Sequence, residues 1–176
     1  ERRLKIPLAG SLVQNHHGGH IAVRNGVNSA SAELFRSLRS NVRFVAPSSV
    51  TNPVILVTSS INGEGKSYVA TNLAISLSLL NKKVALIGLD IRKPMLAHYL
   101  NLPSKGCVTS YLADEAYDVD DLIVRSEFEN LDILPAGAIP PNPSELLQGQ
   151  RLDELFAELR KRYDYVIIDS APVAMV

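Results

Sequence analysis

The sequence predicts an α/β fold with a mostly parallel central sheet flanked by helices on both faces. Three observations predict it. Short apolar, β-rich runs recur at Val54-Ile55-Leu56-Val57, Val84-Ala85-Leu86-Ile87, Leu131-Asp132-Ile133-Leu134 and Tyr165-Val166-Ile167-Ile168. Segments of helical periodicity separate them, and such alternation implies right-handed crossovers between parallel strands. A glycine-bearing loop follows the first run and aspartates follow two others, which is where parallel sheets place ligand-binding groups.

Taken in order, residues 1–28 contain Pro7, four glycines and His16, His17 and His20. They read as an extended linker, with the histidines as linker residues and not a metal site. Residues 29–46 read as a helix, with Leu34, Leu38, Val42 and Val45 at helical spacing and Ser29 or Ser31 as its cap. Val54–Val57 reads as a buried strand. The helix from Lys66 to Leu80 is apolar nearly all round, so it should be buried on several sides. Asn81-Lys82-Lys83 ends it and Val84–Ile87 follows as a second buried strand. Pro94 opens a helix carrying Met95, Leu96, Tyr99 and Leu100, and residues 108–126 hold two short helices. After the third strand, Pro140-Pro141-Asn142-Pro143 turns the chain toward Ser144 as a helix cap. Leu152, Leu155, Phe156 and Leu159 mark a helix over 150–162, and the fourth strand ends at Asp169.

The chain has 176 residues, 46% of them hydrophobic and 20% charged, which suits one domain, here 29–176. Lys plus Arg and Asp plus Glu are 18 each, so no basic excess argues for nucleic acid as a partner. The single cysteine, Cys107, excludes an internal disulfide and reads as a plain loop or packing residue. No apolar run reaches the roughly 20 residues that span a bilayer. The start Glu1-Arg2-Arg3-Leu4-Lys5, without methionine, looks like a piece of something larger.

Ser60-Ile61-Asn62-Gly63-Glu64-Gly65-Lys66-Ser67 sits between a strand and a helix, the context a phosphate-binding loop requires. Gly63 and Gly65 let the backbone curl its N–H groups inward, and the helix N-terminus adds partial positive charge. Lys66 can reach the β- and γ-phosphates, and the Ser67 hydroxyl can ligate Mg²⁺. Ser60 stands where the motif usually begins with glycine. Asp90 and Asp169, each at a strand end, are candidates to hold the metal or its waters. These parts read as a P-loop that binds the Mg²⁺ complex of a nucleoside triphosphate.

With these elements identified, the chain resembles the bacterial tyrosine kinases, the cytoplasmic catalytic domains of polysaccharide co-polymerase proteins. Ser59–Ser67 is similar to the family's Walker A loop. Ala85-Leu86-Ile87-Gly88-Leu89-Asp90-Ile91-Arg92 resembles its Walker A′ segment, and Val166-Ile167-Ile168-Asp169-Ser170-Ala171-Pro172 its Walker B. Glu33-x-x-Arg36-x-x-Arg39 resembles its oligomerisation helix, and Gly137–Leu147 and Ile6–Ser11 are also family-like.

The resemblance implies ATP-dependent autophosphorylation on tyrosine between neighbours in a homo-oligomeric ring. It implies control of capsular or exopolysaccharide synthesis and export at the cytoplasmic face of the bacterial inner membrane. It assigns Asn62, Gly63, Glu64, Gly65, Lys66, Ser67 and Tyr68 to the nucleotide. Lys66, Asp90 and Asp169 become the catalytic groups, with Ser67, Asp90 and Asp169 on Mg²⁺. Glu33, Arg36 and Arg39 face the neighbouring subunit; from the residues alone they read as i,i+3 ion pairs on a solvated helix. The implied partners are the protein's own transmembrane co-polymerase part and the tyrosine tail of a neighbour.

Two departures matter. Gly88 stands where the family has a carboxylate that receives the tyrosine proton, and losing one general base typically costs 10²–10⁴-fold. The chain also ends seven residues after Asp169, and its six tyrosines form no cluster. Two other classes therefore compete with the autokinase. One is a ParA/MinD-like ATPase, against which stand Ile61 in place of an early loop lysine and the Glu33–Arg39 pattern. The other is a non-catalytic module that binds ATP to lock an oligomer. For Arg92 a phosphate, a neighbour and a simple turn cover all stay open.

Overall fold

The computed structural model describes residues 7–14, 19–45, 49–102, 106–141 and 143–175. Five strands form one sheet: β1 Val54–Val57, β2 Val84–Leu89, β3 Val124–Arg125, β4 Leu131–Leu134 and β5 Tyr165–Ser170, in the order β1-β5-β2-β4-β3. All neighbours pair in parallel except β3, which runs antiparallel to β4. Two residues carry no readable period, which is why β3 was not anticipated.

β2 is central, and its alternate side chains split the molecule into two cores. Val84 and Leu86 pack with Phe35 of α1 (Ala30–Val45) and with Leu73, Ala74 and Leu77 of α2 (Lys66–Ser78). Ala85 and Ile87 pack on the other face with α4 (Val108–Ala113), α5 (Val119–Leu122) and α7 (Gln150–Arg162). Helices thus cover both faces, as expected. Ser29 caps α1, its Oγ accepting from the Ala32 N–H at 3.1 Å. Each residue of α2 from Ala70 to Ser78 is buried, in keeping with its all-round apolarity. α3 (Leu96–Tyr99) follows Pro94.

Two expectations are corrected. β1 is an edge strand and not a buried one, because β5 lies between it and β2. Ile55 and Val57 point into the α1–α2 core, while Val54 and Leu56 are 38% and 59% exposed on the other face. An apolar run reads the same at an edge as at the centre, so sequence alone could not tell them apart. Ser144 is not a cap but the second residue of α6 (Pro143–Leu146); proline, lacking an N–H, supplies the helix start itself. The described parts of 1–28 form no helix or strand, and they pack on the domain. Val23 is fully buried in the α1–α2 core, and the Asn41 side-chain amide donates to the Ala9 carbonyl at 2.8 Å.

Candidate functional site

The register places the site. β2 and β5 pair over their whole length, bringing Gly88 opposite Asp169 and Leu89 opposite Ser170 at the carboxyl end of the sheet. The Asp90 N–H continues the ladder by donating to the Asp169 carbonyl at 3.0 Å. The two aspartates, far apart in the chain, therefore emerge side by side. β1 feeds the loop 58–65 into α2 beside them. Gly63 and Gly65 adopt φ of 85° and 91°, the left-handed region that other residues enter only at a cost. The curl directs the first N–H groups of α2 toward the same end of the sheet, where the helix carries positive potential.

Lys66 turns inward, its side chain only 8% exposed, and its Nζ lies 3.9 Å from Asp90 Oδ2. Asp90 is held from its other oxygen by the Lys93 N–H at 3.0 Å. Ser67 hydrogen-bonds the Asp169 carboxylate. Asp169 is 1% exposed, and burial pushes its carboxyl up from 3.8 to about 6, against the pull of the Ser67 hydroxyl and Lys66 and with a push from Asp90. Its Oδ1 has no hydrogen-bond partner among the described residues. A buried carboxylate oxygen without a partner, next to a hydroxyl and a second carboxylate, is a donor set that fits a hard divalent cation.

The remaining expected residues divide. Asn62, Gly63 and Glu64 form the exposed turn of the loop. The Glu64 side chain folds back, Oε2 accepting from the N–H groups of Ser60 at 2.8 Å and Ile61 at 3.2 Å, so it braces the loop from within. Tyr68 sets its ring edge-on to Phe35 at 5.6 Å, inside the α1–α2 core, and burial raises its hydroxyl's pKa. Glu33 and Arg36 pair with each other on the surface of α1. Arg39 turns inward instead, donating from Nη1 to the Ser76 carbonyl at the far end of α2. Burial, then the nearby Arg36 and Arg43, lower its pKa. Arg92 reaches Ser144 Oγ at 3.5 Å. His20 stacks on Tyr99 with ring centroids 3.9 Å apart; His16 and His17 lie outside the described residues.

Beside the aspartates lies a cavity of about 400 Å³ whose walls include Gly88, Leu96, Ala136 and Cys107 together with Asp90 and Asp169. Gly88 opens its wall where a side chain could have stood: a Cβ there would lie 3.1 Å from the Ala136 nitrogen. Sequence reasoning missed Glu64's inward brace and the buried Asn72 of α2, whose carboxamide bonds the N–H groups of Ala22 and Val23. The signal for Asn72 was present, since a carboxamide in a helix buried all round must find partners.

A phosphate-type loop, an inward lysine and paired strand-end aspartates define a P-loop NTPase of the doubly covered parallel-sheet type. The AAA domain family matches residues 52–176. CapB of Staphylococcus aureus, which carries a tyrosine-protein kinase name, is 33% identical over 156 residues, covering 88% of this chain and 67% of CapB. The crystal structure of the chimerical protein CapA2B2 superposes with a TM-score of 0.87 at 36% identity, over 97% of this chain and 73% of that one. MinD of Pyrococcus horikoshii OT3, solved with Mg-ADP, is more distant, with a TM-score of 0.58 at 28% identity over 67% of this chain. The chain belongs to the bacterial tyrosine-protein kinase family of P-loop proteins. It spans 23% of the length of the longer curated relatives it matches.

Proposed function

We propose that this chain is the catalytic part of a longer, membrane-associated protein-tyrosine autokinase that uses Mg-ATP and regulates capsular or exopolysaccharide synthesis and export. One observation carries the reading: Lys66, Ser67, Asp90 and Asp169 converge at the end of β2 and β5, with Lys66 held inward 3.9 Å from Asp90. The loop amides and the Lys66 ammonium bind the β- and γ-phosphates. Ser67, Asp90 and Asp169 would hold Mg²⁺, whose charge offsets that of the phosphate oxygens during transfer. Lys66 and Asp90 orient each other, so the ammonium is placed before the nucleotide arrives. Nucleotide and Mg²⁺ come to this chain partly from MinD's likeness and partly from the donor set itself. The exposed Glu33–Arg36 pair on α1 would face a neighbouring copy in a ring.

Gly88 favours a second reading, in which the domain binds ATP to lock an oligomer without transfer. No proton acceptor stands at that position, and the cavity wall there is Leu96 and Ala136. Phosphotyrosine mass spectrometry on the full-length protein, with and without Lys66→Met, decides. Phosphotyrosine that disappears with Lys66→Met supports the kinase. Free-phosphate release without phosphotyrosine would point to an ATPase. Nucleotide-dependent assembly with neither product would point to the locking module.

A further inference from the structure

Asn72 is fully buried in the helix that starts at Lys66, and its carboxamide uses its whole capacity. Oδ1 accepts from the N–H groups of Ala22 at 2.7 Å and Val23 at 3.1 Å. Nδ2 donates to the His20 carbonyl at 3.0 Å and to the Tyr68 carbonyl at 2.8 Å. The segment 19–24 forms no helix or strand, so the part-buried backbone groups that Asn72 meets have no ladder to join. Only a side chain that both accepts and donates can satisfy them. Aspartate could only accept, glutamine would be a methylene too long, and leucine could do neither.

The segment so held is a wall of the nucleotide loop's surroundings. Gln14 and His20 line a cavity of about 530 Å³ together with Gly63, Glu64, Gly65 and Tyr68. The His20 ring is stacked on Tyr99, and Val23 is locked in the same core as Leu73 and Phe35. One carboxamide thus joins the strap 20–23 to the first turns of the helix whose N-terminus frames the phosphates, through the carbonyl of the residue that follows Ser67.

We infer that Asn72 is a positioning residue for the phosphate loop: it makes the seating of strap 20–23 and the ordering of the nucleotide loop a single event. The inference rests on the nucleotide-binding reading above. Linkage requires reciprocity, so nucleotide must tighten the strap to the same degree that the strap tightens nucleotide.

The experiment uses the full chain with Mg-ADP as probe, reading amide hydrogen exchange at Ala22 and Val23 and nucleotide affinity by titration. In the wild type, Mg-ADP slows exchange at both amides. Asn72→Ala speeds it without nucleotide and weakens Mg-ADP binding about ten-fold, the loss expected for roughly one to two buried hydrogen bonds. Ala22→Pro removes one donor from the strap side and leaves α2 untouched, so it tests the link even where Asn72→Ala fails to fold; it weakens Mg-ADP binding several-fold. Ile75→Val, a small loss of packing in the same helix that leaves every Asn72 hydrogen bond in place, lowers the melting temperature and leaves affinity within about two-fold. A loosened strap with unchanged affinity in Ala22→Pro overturns the coupling, as does a wild type whose strap amides ignore bound Mg-ADP. A wild type that does not bind Mg-ADP at all sinks the nucleotide reading itself, a result told apart by the titration alone.

Discussion

Two carboxylates and one ammonium share a buried corner of this molecule, and the balance among them has a pH signature. Asp169 titrates at about 6 when folded, above its ordinary 3.8. The folded state therefore holds a proton that the unfolded chain has already lost between those two values. Below about pH 4 both states are protonated and the group is neutral in the balance. As pH rises through 6 the buried carboxylate must ionise, and stability falls by up to about 3 kcal/mol. An asparagine in its place cannot ionise, so in chelator-treated protein Asp169→Asn should exceed the wild type in urea stability at about pH 7.5 and match it near pH 4. An equal gap at both pH values would refute this. The four groups Lys66, Ser67, Asp90 and Asp169 were legible in the sequence because motif spacing and strand ends locate them. Arg39's inward turn, Glu64's brace and Tyr68's packing on Phe35 were not. Each depends on which way one side chain swings, and spacing along a chain does not encode that.

At the scale of elements, helix periods and strand runs were readable because each is a local pattern of burial. The position of a strand in the sheet was not, because β1 and β2 are equally apolar while only β2 is enclosed on both sides. The Ser144 cap failed for a similar reason: serine and proline are both helix starters, and the proline came first. The paired strands also settle what a carboxylate at position 88 would meet. It would rise from β2 opposite Asp169, into the cavity, with its Cβ 3.1 Å from the Ala136 nitrogen. That approach is tight, and the like charges of Asp90 and Asp169 stand close by. Gly88→Asp should therefore lower the melting temperature by a few degrees, corresponding to roughly 1–2 kcal/mol. If the missing proton acceptor limits transfer, the same change should raise autophosphorylation of the full-length protein at least about ten-fold. Fast and equal rates in both forms would show that Gly88 does not limit transfer.

At the scale of the whole molecule, α1 stands between two tasks, and its residues divide them. Glu33 and Arg36 meet each other at the surface, with the Arg36 side chain 30% exposed, and Arg36 adds bonds to the Val27 carbonyl at 3.1 Å and the Asn28 side chain at 3.2 Å. Arg39 lies in the groove between α1 and α2, where its guanidinium answers the Ser76 carbonyl and hydroxyl at the end of α2. Its Nε is buried without a partner among the described residues, so the site tolerates this cation at some cost and depends on the bonds that hold it. The family-like triad would then act in two ways: the first two residues present a surface, and the third fixes that surface to the helix that begins at the phosphate loop. Exposed pairs contribute about 0–1 kcal/mol, whereas breaking a half-buried charged hydrogen bond costs about 1.5–3 kcal/mol. Arg39→Ala should therefore lower the melting temperature of the isolated chain by several degrees at a concentration where it is monomeric. Glu33→Ala with Arg36→Ala should leave that temperature nearly unchanged and shift sedimentation of the full-length protein toward smaller species. Equal thermal losses in both variants would place all three residues in one intramolecular network, and unchanged sedimentation in the double variant would remove this face of α1 from the subunit contact.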